Sequence, residues 1–179
     1  YAAGNLAYLL LVGDAEQVPP YTKDDVISDN YYGYLAGDDH YPEVLVGRFS
    51  AENINELNTQ INRTLEYEKG LGNNQEYYSA ATGIASVMNM GDDGESDFQH
   101  TRNLLNTLKD FTYTDFAEFY DGSQGGLDAD GNPPSQLAVD RINQGTGLIL
   151  YTGHGGINTW ITAQISSSVV DMLGNNGSY

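Results

Sequence analysis

A chain of 179 residues, 40% of them apolar, is long enough to bury one substantial core, which predicts one domain or one large piece of one. Seven basic residues against 25 acidic give a net charge of -18, which repels a polyanion such as nucleic acid and attracts a basic ligand or a divalent cation. The absence of cysteine excludes disulfides, zinc–thiolate sites and a cysteine nucleophile within this span.

No apolar run is long enough to span a bilayer; the longest, residues 6–12, has the length of a strand. No basic-then-apolar signal segment opens the chain, and its start at Tyr1 without an initiator methionine points to a mature or excised piece. Few lysines beside many tyrosines and glycines suit a secreted protein, whose acidic surface would keep it soluble.

In chain order, residues 6–13 read as a buried strand with Asp14 at its carboxyl end. An ordered loop with Pro19 and Pro20 follows, and Gly37-Asp-Asp-His-Tyr-Pro-Glu43 leads into a second strand over 44–49, where Pro42 suits the entry or an edge. Ser50 is the expected N-cap of a helix whose stripe of Ile54, Leu57, Ile61 and Leu65 faces a core and which ends near Gly70. A polar turn through Asn74 precedes a third strand over 77–87. Residues 88–94 form a flexible acidic loop, and Glu95-Ser96-Asp97 opens a helix with Phe98, Leu104, Leu105 and Leu108 inward.

A short strand over 116–120, a loop over 121–134 and a helix over 135–143 with Leu137, Val139 and Ile142 come next. The apolar run 148–151 then suits a strand covered on both faces, as in a parallel sheet, and it stops abruptly at Gly153-His-Gly-Gly156. A helix over 166–173 and a loop over 174–179 end the chain. Strands alternate with helices throughout, so right-handed crossovers and a mostly parallel sheet are expected.

The ligand site of such a sheet lies at the carboxyl ends of its strands. His154 occupies one of those ends, between glycines that permit φ > 0 and a close approach of substrate to the backbone. It reads either as a general base or as a turn histidine satisfied by a nearby carbonyl. His40 and His100 lack that setting, no H-E-x-x-H metal spacing occurs, and no Gly-x-Ser-x-Gly elbow supplies a serine nucleophile. Asp39, Tyr41 and Glu43, at alternate positions of an extended segment, share a face that Asp14 could join. These hard oxygen donors suit calcium, and an acidic solvated loop is the other reading. The loop Asp128-Ala-Asp-Gly-Asn132 resembles the start of a calcium loop without its later ligands.

Taken together, Leu9-Leu-Leu-Val-Gly-Asp14, the 37–43 block with Val46-Gly-Arg-Phe-Ser50, Gly94-Glu-Ser-Asp97 with Gln99-His100, and Tyr151-Thr-Gly-His-Gly155 with Trp160 resemble successive blocks of the gingipain family of cysteine endopeptidases. The resemblance runs from about Tyr8 to the C-terminus. It implies a caspase-haemoglobinase-like three-layer sandwich, a mostly parallel sheet flanked by helices. Residues 1–179 would then be a partial gingipain-like peptidase domain, secreted or at the cell surface, acting on protein or peptide substrates. It implies that His154 is the catalytic histidine of a cysteine dyad, that the Gly155 N–H donates to the oxyanion, and that Asp97 and Trp160 bind substrate, Asp97 receiving an arginine side chain. Without the resemblance, Asp97 reads first as a helix-start acid that stabilises the dipole. The resemblance implies a structural calcium held by Asp14, Ala36, Asp39, Tyr41 and Glu43, with Ala36 and Tyr41 using their carbonyls.

The family's nucleophilic cysteine follows the next strand, so the remainder of the domain is needed to complete the site and this piece alone is expected to be inactive. The family's histidine-orienting glutamate has no match in Val87-Met-Asn-Met-Gly91, and Glu95 is the substitute on offer. The alternatives are a sortase-like protease of a secretion system and a non-catalytic surface domain with the same fold.

Overall fold

The computed structural model describes residues 6–23, 26–39, 41–70, 76–88 and 94–175, the side chains of Lys23 and Val26 apart. His40, the acidic loop at 89–93, the turn at 71–75 and the last residues, 176–179, lie outside them. The chain divides into two compact units, residues 1–70 and 71–179.

In the first unit strand β1 (Tyr8–Val12) is followed by an antiparallel hairpin of β2 (Tyr21–Lys23) and β3 (Val26–Ser28), then by β4 (Leu45–Phe49) and helix α1 (Ile54–Lys69). β1 and β4 pair in parallel, from Tyr8 opposite Leu45 to Val12 opposite Phe49. Arg48 of β4 locks this ribbon to the 3-10 turn Asp29–Gly33: its Nε and Nη2 each donate to one Asp29 oxygen at 2.6 Å, and Nη1 donates to the Gly13 carbonyl at 2.7 Å. The guanidinium's hydrogen bonds hold the Asp29 carboxyl below its ordinary range.

Helix α1 departs from expectation at its start. Its cap is Asn53, whose side chain accepts from the Asn55 and Glu56 amides, whereas the Ser50 hydroxyl donates to Asp14 at 3.1 Å. It ends as expected at Gly70, whose left-handed φ of 65° spares the Cβ clash that any other residue would meet. The core-facing stripe is a correction: no residue of α1 is buried, and Ile54 is 64% exposed. The strand expected to be buried at 6–13 likewise buries only Leu11 among the residues of β1. An apolar stripe reports that a face exists, and a two-stranded ribbon has too little area to cover it.

The second unit runs β5 (Ala80–Ala85), α2 (Asp97–Leu108), β6 (Asp115–Tyr120), α3 (Ser135–Gln144), β7 (Leu148–Thr152), β8 (Gly155–Gly156), β9 (Thr159–Trp160), β10 (Ile165–Ser166) and α4 (Ser167–Val170). β5 lies between β6 and β7, parallel to both, with Ile84 level with Phe119 and Tyr151. Every residue of β5 is buried, as a central strand covered on two faces requires. The pleat sorts side chains into layers. Ile84 packs with Ala138 of α3, Ala163 and Ile165, flanked by Phe119, Ile149, Tyr151 and Val169. The opposite face meets α2 through Thr101 and Leu105, both buried, and through Tyr120.

The third strand is shorter than the expected 77–87. Residues Glu76–Ser79 form a 3-10 turn, and Ser86 ends the strand by accepting the Met88 amide on its hydroxyl at 3.1 Å. Leu104, expected inward, is 42% exposed, because the buried line of α2 is the Thr101–Leu105 pair one turn apart. The last helix contracts to Ser167–Val170.

Arg102 ties α2 to β6. It donates to Glu118, whose side chain is 6% exposed, at 2.6 Å, and to the Gln124 and Gly125 carbonyls, and it lies over the Phe98 and Tyr120 rings. The bonds to Glu118 raise the guanidinium pKa further. Asp128 accepts the Tyr120 and Gln124 amides, both at 2.8 Å, and burial still pushes its carboxyl up. This loop closes on its own amide donors.

At Gly83 α2 lies close against the sheet. A Cβ there would stand 2.8 Å from Leu105 Cδ1, 2.9 Å from Thr101 Cγ2 and 3.0 Å from the Tyr120 hydroxyl. Gly83→Ala is expected to cost about 1–3 kcal/mol of unfolding free energy through overpacking, measured by denaturant titration. A cost within about 0.5 kcal/mol would show that the α2 face gives way easily.

Candidate active site

β7 delivers His154 at the carboxyl edge of the three-stranded sheet, where the apolar run and its abrupt stop put it, but the expected cover on both faces is incomplete: β7 is the outer strand of the three and all five of its residues are half-buried. Beyond the strand the chain forms a tight antiparallel ribbon, Gly155 opposite Trp160 and Gly156 opposite Thr159, with β10 on its far side. His154 is exposed at the neck of that ribbon. Its carbonyl accepts from the Ile161 amide at 3.0 Å and from the Tyr151 hydroxyl at 2.6 Å. The Tyr151 ring stacks on Trp160, centroids 4.5 Å apart and planes inclined by 20°.

The flanking glycines work differently from expectation. Gly153, Gly155 and Gly156 do not adopt positive φ. What Gly153 supplies is space: a Cβ on it would stand 3.1 Å from the Tyr151 hydroxyl and 3.5 Å from Ser86 Cβ.

Asp97 is the first residue of α2, after Ser96, whose amide donates to the Gln99 side chain at 3.0 Å in a capping box. Its carboxylate also has a tertiary partner, accepting a hydrogen bond from the Ser86 hydroxyl just past β5. One turn on, the Thr101 hydroxyl meets that of Thr152 at 2.8 Å, and the Ser86 amide donates to the Thr152 carbonyl at 3.0 Å. The ends of β5 and β7 and the first turn of α2 are thus fastened together, with Asp97 at the end of β5, the strand paired with the one that releases His154 two residues later. Glu95 accepts from Asn103 at 2.6 Å and meets the His100 ring at 3.3 Å, both on α2.

Beside the histidine turn, a hollow of about 700 Å³ is lined by Val87, Asp121, Asn132, Ile161 and Gln164 among others. Asp121 accepts from Thr162 at 2.9 Å, fixing the segment after β9 to the end of β6. A second hollow of about 430 Å³, mostly apolar, lies between Trp160, Gly156 and Ile149.

The predicted metal ligands belong to the first unit. Glu43 Oε2 accepts the Leu35 and Ala36 amides at 2.8 and 3.1 Å, Asp39 Oδ1 accepts the Tyr41 amide at 2.9 Å, and Asp14 is held by Ser50 and the Ala15 amide. Ala36 and Glu43 are therefore brought together, as are Asp39 and Tyr41. The donors are of the kind calcium takes. Among the described residues no three acidic or histidine side chains gather closely enough to hold a metal, so the three carboxylates do not form a preassembled cage.

Sequence reasoning missed Ser86 and the Tyr151–Trp160 stack as parts of the site. Tyr151 and Trp160 bracket the Gly-His-Gly turn at nine residues' separation, but only the short ribbon makes them neighbours.

A model of peptidase family C25 matches residues 1–179. Gingipain R2 of Porphyromonas gingivalis is 37% identical over 174 residues, which is 96% of this chain and 22% of that protein. Lys-gingipain HG66 of the same organism is 27% identical over 176 residues, 96% of this chain and 10% of its own length. The crystal structure of the Arg-specific cysteine proteinase gingipain R superimposes with a TM-score of 0.75 at 35% identity, over 96% of this chain and 38% of that one. The fold is accordingly the caspase-like α/β fold, parallel sheets flanked by helices. The chain spans about a fifth of the length of the gingipain R2 relative.

Proposed function

The chain belongs to peptidase family C25, and on that footing we propose that it carries the histidine half of a secreted cysteine endopeptidase that cleaves after arginine. The observation that carries this reading is the placement of His154 at the carboxyl end of a parallel strand, its main chain clamped and its ring exposed. There it can lower the pKa of a thiol brought up on an adjacent strand end and later protonate the leaving amine. The Gly155 amide would donate to the oxyanion. The hollow beside the turn has room for a peptide, and Trp160, 37% exposed and lining the second hollow, would offer a further contact.

Arginine specificity rests on Asp97. Its carboxylate is held by Ser86 above the strand ends, where a guanidinium could be met bidentately. The higher identity to gingipain R2 than to Lys-gingipain HG66 favours arginine over lysine. This sequence has no cysteine, so on this reading the nucleophile comes from outside these residues. The test is hydrolysis of arginyl and lysyl peptides by the full-length protein, with and without a thiol alkylator. Arginine-directed, alkylator-sensitive cleavage supports the reading. No cleavage would leave a non-catalytic surface domain.

Calcium at Asp14, Ala36, Asp39, Tyr41 and Glu43 is the second element of the proposal, as a stabiliser. Since the carboxylates stand apart, the ion would have to draw Asp14 from Ser50 and gather the 36–43 loop. Chelation of the full-length protein is then expected to lower its Tm by several degrees, on the order of 2–3 kcal/mol at calcium about a hundredfold above Kd. An unmoved Tm removes the ion from the account.

A further inference from the structure

We propose that Tyr151 is the positioning residue of the catalytic turn: through the His154 carbonyl it sets the peptide unit that joins His154 to Gly155, and with it the oxyanion donor. This assignment rests on the peptidase reading above. The His154 carbonyl is held by two donors, the Tyr151 hydroxyl at 2.6 Å and the Ile161 amide at 3.0 Å. The chain has no cis peptide bond among the described residues, so the His154 carbonyl and the Gly155 N–H lie in one plane and point in opposite directions. Anchoring the carbonyl therefore aims the N–H.

The ribbon leaves that N–H available. Because Ile161 N donates to His154 O across the Gly155–Trp160 pair, that pair is of the non-hydrogen-bonded kind, and the Gly155 N–H points away from β9. Tyr151 is itself anchored at both ends. Its backbone lies in β7 level with the fully buried Ile84, and its ring stacks on Trp160 across the ribbon. Gly153 leaves the space over which the phenol reaches, since a Cβ there would come to 3.1 Å of the hydroxyl. Without this brace, a turn with glycine on both sides of the histidine would sample many orientations.

The test compares Tyr151→Phe, which keeps the stack and loses the hydroxyl, with the parent full-length protein. An arginyl peptide serves as substrate, an arginyl peptide aldehyde as a tetrahedral analogue that uses the oxyanion donor, and the product carboxylate as a ligand that does not. The expected result is a fall in kcat of about ten- to a hundredfold at unchanged KM and unchanged Tm, with aldehyde affinity falling by a similar factor and product affinity holding. Aldehyde and product affinities that fall together, or a kcat that does not change, would overturn the assignment. A parent that cleaves no arginyl peptide overturns the peptidase reading as well, whereas an active parent matched by Tyr151→Phe overturns this assignment alone.

Discussion

Replacing His154 with alanine in the full-length protein is expected to lower kcat/KM for arginyl peptides by about 10²- to 10⁴-fold, the range typical of a lost general base. The fall should appear chiefly in kcat, since the ring is exposed at the neck of the β8–β9 ribbon and holds no strand in place. Its main chain, not its side chain, takes the bonds from Tyr151 and Ile161. The variant should therefore keep the parent's Tm. A variant with parental kcat/KM would return His154 to the status of a turn residue.

Asp97→Asn is expected to have the second large effect, a loss of about 10²- to 10³-fold in kcat/KM for arginyl peptides, the consequence of removing one partner of a desolvated charge pair. Asparagine keeps a side-chain oxygen for the Ser86 hydroxyl and remains acceptable at a helix start, so the fold should survive the change. What disappears is the charge facing the guanidinium, and the preference for arginine over lysine or neutral residues should narrow with it. Steady-state kinetics on a matched set of peptides checks this. An unchanged arginine preference takes Asp97 out of the specificity pocket.

The alternation of strands and helices was legible in the sequence because apolar periodicity is a local signal, and the strand that ends at His154 stands where its residues put it. Local signals fail where tertiary partners compete. Ser50 and Asn53 are both good caps, and it is the Asp14 carboxylate that draws Ser50 away. The stripe of α1 was correctly seen as apolar, but nothing in a period tells what covers it, and in this structure no α1 residue is buried. The hairpin of β2 and β3 was missed because three-residue strands are too short for an alternation to register.

The site divides along the same line. The strand end and Gly-His-Gly point to His154 without help from the fold. The roles of Ser86 and Tyr151 do not show in their residue types, since a hydroxyl can bond wherever a partner lies: the start of α2 beside the end of β5 brings Asp97 to Ser86, and the turn after β7 brings the His154 carbonyl to Tyr151. The expected calcium ligands are the opposite case: Asp14, Asp39 and Glu43 suit the ion by type, while Glu43 and Asp39, as placed, are engaged with backbone amides and Asp14 with Ser50.

If His154 activates a thiol, the pH dependence of alkylation measures that step without requiring turnover. In the parent full-length protein, a neutral alkylating reagent should modify one cysteine rapidly down to about pH 6 or below, because an imidazolium beside a thiol holds it as thiolate well under its ordinary pKa of about 8.5. In His154→Ala the same cysteine should react slowly at pH 6 and reach half its limiting rate near that ordinary value. The same rate–pH curve in both proteins would contradict the account.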